Sequence, residues 1–125
     1  MLLGEGKFVT LEQINKSPDI DLPGIELATL SACNTAILTS ANGVEVDSLA
    51  ESIQSRGGKA VLATLWSVYD ESTASLMREF YAAKASDSTL TKADALQTAQ
   101  LKMIGDASFS HPYYWSGFVL IGNWR

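Results

Sequence analysis

Two short apolar runs, separated by just enough residues for a loop and one helix, constrain this chain more than any other feature. Ile25-Glu26-Leu27-Ala28-Thr29-Leu30 follows Pro23-Gly24, and Ala60-Val61-Leu62-Ala63-Thr64-Leu65 follows Gly57-Gly58. Each run is short and apolar, as strands covered on both faces are. Between them, Val46 to Ser55 carries Leu49, Ala50 and Ile53 on one helical face. Glu45 and Asp47 suit the positive end of that helix, and the glycine pair stops it. Strand, loop, helix, tight turn, strand is a βαβ unit, which predicts parallel pairing through a right-handed crossover.

The remaining segments extend this unit. Gly4-Glu5-Gly6 between Leu2-Leu3 and Phe8-Val9 reads as a hairpin turn. Thr10 with Gln13 reads as a capping box for a short helix that Ser17-Pro18 ends. Asp70 opens a helix with Leu76, Met77, Phe80 and Ala83 on one side, and Asp70 followed by Thr73 has the form of an N-cap. Thr91 caps another, with Leu90 placed to staple onto Ala95 and with Leu96, Ala99 and Met103 or Ile104 as its buried stripe. After Ser110-His111-Pro112, residues Tyr114 to Ile121 alternate like a final strand, which Gly122-Asn123 ends. The fold class is α/β.

At 125 residues the chain has material for one core, since a domain of this size buries roughly two thirds of its unfolded surface. A formal net charge of −5 argues against a protein that grips nucleic acid through its phosphates. One cysteine excludes an internal disulfide, and one histidine makes a multi-ligand zinc site implausible. No metal or other cofactor is expected. No apolar run approaches the roughly 18 residues of a membrane span, and no signal peptide precedes the first strand, so a reducing cytoplasm is the expected location. Met1-Leu2-Leu3 runs straight into Gly4-Glu5-Gly6-Lys7, as if the chain began inside a domain.

Cys33 follows the first buried run, at the carboxyl end of a strand, where open α/β sheets place functional groups. Small neighbours would leave its sulfur accessible to act as a nucleophile. A free cysteine is equally at home as an inert core residue, and both readings stand on spacing alone. His111 is the sole histidine, but if the final strand lies beyond Ala60–Leu65, two strand spacings put it roughly 10 Å from Cys33, too far for proton transfer. Its expected role is to anchor the turn before Pro112. Trp66 and Asp70 follow the second strand and would line the same cleft, as contacts for a peptide backbone or a basic side chain. As alternatives, Asp70 is a plain cap and Trp66 a plug at the core edge. Tyr113, Tyr114 and Trp115 read as packing residues, and Arg56-Gly57-Gly58-Lys59 lacks the P-loop pattern.

Five blocks taken together carry a resemblance. They are Leu30-Ser31-Ala32-Cys33-Asn34-Thr35; Leu62-Ala63-Thr64-Leu65-Trp66-Ser67-Val68 with Asp70 and Thr73; Leu76-Met77 with Phe80-Tyr81; Ala95-Leu96-Gln97-Thr98-Ala99-Gln100; and His111-Pro112-Tyr113-Tyr114-Trp115-Ser116-Gly117-Phe118-Val119-Leu120-Ile121-Gly122. In this order and spacing they resemble the CHAT domain, a caspase-like, separase-related family often fused to tetratricopeptide repeats.

The resemblance implies a three-layer α/β/α caspase-like sheet, of which residues 1–125 would be the C-terminal half, incomplete without its partner half. It implies a Cys-His dyad that cleaves peptide bonds, with the nucleophile of the Ser-Ala-Cys block falling on Cys33. The dyad histidine belongs to a His-Gly block upstream of the segment that Leu2-Leu3-Gly4 matches, so the chain alone is not expected to hydrolyse peptides. The implied partners are a peptide or protein substrate, the N-terminal half of the domain and tetratricopeptide repeats. A non-catalytic interaction module on the same scaffold is the alternative. Without the strand that bears the histidine, Ile25, Leu27, Ala28 and Leu30 would form an exposed sheet edge, and self-association through it is expected.

Overall fold

The computed structural model describes residues 24–30 and 43–125, and for residues 43–46 and 49 the backbone alone. The expected hairpin around Gly4-Glu5-Gly6, the Thr10 cap, the stop at Ser17-Pro18 and Cys33 all lie outside the described residues. The elements run β1 (Ala28–Leu30), α1 (Gly43–Ser55), β2 (Ala60–Thr64), α2 (Asp70–Ser86), α3 (Lys92–Gly105), a 3-10 turn (Pro112–Tyr114) and β3 (Phe118–Gly122).

The sheet order is β1-β2-β3, parallel between the first two and antiparallel between the last two. The βαβ unit is thus present. Its turn is a Schellman motif: Gly58 N–H donates to Ile53 C=O at 3.1 Å and Gly57 N–H to Gln54 C=O at 3.0 Å, which satisfies carbonyls at the helix end. Gly57 sits at φ +96°, in the left-handed region this motif requires. Lys59 N–H then donates to Ile25 C=O at 2.9 Å and carries the pairing back beyond β1.

All five residues of β2 are buried, and alternate side chains feed two separate clusters. Val61 and Ala63 meet Ala50 and Ile53 of α1 together with Ala28, while Leu62 meets Leu76, Phe80, Ala95, Ala99 and Met103 of α2 and α3. That double burial is why the run reads as apolar throughout instead of alternating. α3 begins as expected, with Thr91 Oγ1 accepting from Asp94 N–H at 3.0 Å and Asp94 Oδ2 accepting from Thr91 N–H at 3.2 Å. Of the two candidates for its stripe, Met103 is buried and Ile104 is exposed.

Two local expectations fail. Asp70 is the first residue inside α2 and not its cap; Tyr69 holds the cap position without a side-chain hydrogen bond. Asp70 and Glu71 instead place acid in the first turn, where the helix dipole favours it. The final strand begins at Phe118, not Tyr114, because Pro112 starts a 3-10 turn in which Trp115 N–H and Ser116 N–H both donate to Pro112 C=O.

Candidate functional site

Two described segments, the one after β2 and the one before β3, meet at the end of the sheet where β1 also ends. Leu30 pairs with Ala63 and Phe118 with Thr64, so the chain leaves β1 and β2 and enters β3 at the same edge. In an open α/β sheet this carboxyl edge is where ligands are held. The segment after β2 carries Trp66, Tyr69 and Asp70; the segment before β3 carries Ser108, Phe109, His111, Tyr113 and Tyr114.

Trp66 is half-buried and fixed from three sides. Its indole N–H donates to Tyr113 C=O at 3.0 Å, and its ring stacks on that of Tyr113 at 6.4 Å between centroids. Its far side lies so close to Gly117 that a Cβ there would come within 2.7 Å of the ring. The Tyr113 hydroxyl in turn donates to Ser67 C=O at 2.6 Å, and Leu65 N–H donates to Gly117 C=O at 2.9 Å. The two segments are therefore sewn together by backbone and side chain alike. Tyr114 continues the aromatic array, 5.6 Å from Tyr113, 6.1 Å from Tyr69 and 5.7 Å from Phe109.

Beside this array runs an open groove of about 610 Å³ lined by Tyr69, Asp70, Glu71, Ser108, Phe109 and Tyr114. Two of the lining residues, Asp70 and Glu71, carry exposed carboxylates, and Tyr69, Phe109 and Tyr114 are aromatic. Of the residues singled out from sequence, Asp70 lines this groove, whereas Trp66 stands behind it and holds Tyr113. Ser108 and Phe109 were not expected at a site. The signal for them was slight: one aromatic residue among the small and polar residues of Gly105-Asp106-Ala107-Ser108-Phe109-Ser110.

His111 caps its own turn. Its Nδ1 accepts from Tyr113 N–H at 3.2 Å and its carbonyl from Tyr114 N–H at 3.0 Å. With β2 between β1 and β3, the segment that bears His111 enters two strand positions from β1. No group of three or more His, Cys, Asp or Glu able to hold a metal occurs among the described residues, and no helix among them is long and apolar enough to cross a membrane.

At the opposite end of the sheet, charge gathers around Glu26. Lys59 Nζ lies 2.5 Å and Lys92 Nζ 3.7 Å from its carboxylate. The hydrogen bond from Lys59 is the main cause that holds the Glu26 carboxyl below its ordinary range. Lys92 is 6% exposed and also donates to the carbonyls of Asn123 and Arg125, tying the start of α3 to the residues after β3.

Compared with protein families, residues 1–123 match the family described as the CHAT domain. No curated protein and no solved structure gives a significant match.

Proposed function

The chain belongs to the CHAT domain family, and from that premise we propose that it is part of a caspase-like cysteine peptidase domain in which Cys33 is the nucleophile. The layering about β2, with α1 on one face and α2 and α3 on the other, supports the three-layer caspase-like reading. The single observation that carries the functional reading is that β1 and β2 end, and β3 begins, at the same carboxyl edge of the sheet, with Cys33 following three residues after Leu30 in the sequence.

The Cys33 thiolate attacks the scissile carbonyl, the amine leaves with a proton, and water hydrolyses the thioester. The proton is carried by a histidine outside residues 1–125, since His111 is engaged at the turn before β3. Asp70 receives a basic side chain of the substrate at the groove, and Trp66 keeps the aromatic wall in place from behind. Tetratricopeptide repeats are the proposed neighbour in the parent protein, and the cytoplasm the proposed location. A non-catalytic interaction module would use the same groove without the thiol.

Iodoacetamide labelling of the folded chain, located by mass spectrometry, separates the two readings. Alkylation of Cys33 under native conditions is the expected result. A thiol that reacts only after unfolding would assign Cys33 to the core and leave the interaction module.

A further inference from the structure

Tyr69 breaks a local rule at the groove. It holds the N-cap position of α2 without a side-chain hydrogen bond, where serine, threonine, aspartate or asparagine would satisfy a helix N–H, and it is 66% exposed. A large aromatic residue kept in water where a smaller polar one would stabilise the helix points to a contact outside the chain's own core. The residue is nevertheless held in place. Buried Ser72 donates through its Oγ to Tyr69 C=O at 2.9 Å, and the Tyr69 ring lies 6.3 Å from that of Tyr113 and 6.1 Å from that of Tyr114.

The other two rings of the groove are as firmly placed. Asp106 fixes the turn that carries Phe109: its carbonyl accepts from Phe109 N–H at 3.0 Å and its Oδ1 from Ser108 N–H at 2.8 Å. Tyr114 sits in the capped 3-10 turn, and its ring meets both Tyr69 and Phe109. Three rings and the exposed carboxylates of Asp70 and Glu71 thus line one groove. Two carboxylate charges outweigh the roughly half positive charge at the N-terminus of α2, so the groove favours a cation.

The rings decide which cation. A lysine ammonium is compact and strongly hydrated, and pairing with exposed carboxylates gains it little. A guanidinium is planar, and because the Phe109 and Tyr114 rings stand at 73° it lies flat on only one of them. A methylated ammonium is nearly spherical, sheds water more easily and is drawn to ring faces without needing acceptors. The groove, at about 610 Å³, is larger than such a cation alone and has room for the chain that bears it.

We propose that the groove binds a methylated lysine side chain of a peptide, with Tyr69, Phe109 and Tyr114 against the methyl groups and Asp70 and Glu71 supplying the opposing charge. Such binding rests on the reading that the groove takes a basic substrate side chain, and it requires nothing of Cys33.

Fluorescence anisotropy tests this on the full chain, with labelled Ala-Ala-Lys-Ala-Ala peptides whose lysine is left bare, trimethylated, or replaced by arginine or by the neutral tert-butyl isostere of trimethyllysine. The trimethyllysine peptide should bind on the order of tenfold tighter than the other three, and Tyr69→Leu, which keeps an apolar side chain and removes the ring, should weaken it about threefold or more. Should Tyr69→Leu fail to fold, the comparison with the isostere decides, since it needs no variant. Trimethyllysine bound no tighter than lysine or than its isostere would overturn the proposal. So would tetramethylammonium competing at the peptide's own concentration, the mark of a site for a free small cation. Arginine bound tighter than trimethyllysine would overturn it too, while leaving the groove as a site for a basic side chain; no binding of any cationic peptide would remove both readings.

Discussion

Gly117 shows how one residue ties the fold to the site. It joins the aromatic turn to β3, and the Trp66 ring occupies the space its side chain would need. Because that ring is held by Tyr113 through a hydrogen bond and stacking, it has nowhere to yield. Gly117→Ala should cost about 1–3 kcal/mol, read as a lowered midpoint in thermal or urea denaturation. A variant as stable as the parent would show Trp66 to be mobile. Asp70 is the opposite case, exposed and with no cap to lose, so Asp70→Asn should change stability by less than about 1 kcal/mol. The position of Asp70 beyond a buried strand was legible in the sequence, but its place inside the first turn was not. An acidic residue near a helix start fits both the cap and the first turn, and only backbone geometry separates them. Trp66 was legible as a residue at the end of β2, and its role as a post behind Tyr113 was hidden, because it depends on a partner 47 residues away.

Among the elements, α3 is the one whose start the sequence specified most fully. Thr91 and Asp94 satisfy each other's backbone N–H groups, so Thr91→Ala should cost about 1 kcal/mol, measured beside Asp70→Asn as a control with no cap to lose. Two carboxyl groups at element boundaries are held below their ordinary range: Glu26 before β1, chiefly by Lys59, and Asp87 after α2, chiefly by the Thr89 hydroxyl. A carboxyl with a depressed folded pKa adds stability above its unfolded pKa and loses it as pH falls through the folded value. Thermal midpoints should therefore drop below about pH 4, the unfolded carboxyl range, and a Glu26→Gln, Asp87→Asn double variant should show a shallower acid limb. Equal limbs would mean these contacts do not persist in solution. Both sites are solvent-exposed, so added salt should flatten the difference at Glu26 most. The sequence misplaced the start of β3 for a physical reason. Tyr113, Tyr114 and Trp115 have the aromatic character of strand residues, and Pro112 curls them into a turn instead.

For the whole molecule, the α/β class and the β1-α1-β2 unit were legible because each local signal agreed with the next: a buried strand, an amphipathic helix, a glycine stop. The groove was not, since it is assembled from Tyr69 to Glu71 and from Ser108 to Tyr114, two segments that meet only once β3 lies antiparallel beside β2. The central claim joins the chemistry of Cys33 to the charge of that groove. It is tested most directly by intact-mass analysis of the folded chain exposed to peptidyl chloromethyl ketones that end in arginine or in aspartate, with the Cys33 thiolate displacing chloride to leave a thioether. The account predicts a single adduct on Cys33, absent in Cys33→Ala, that forms faster with the arginine reagent, and a preference that Asp70→Asn abolishes. No adduct on the folded chain, or equal rates with the two reagents, would contradict it.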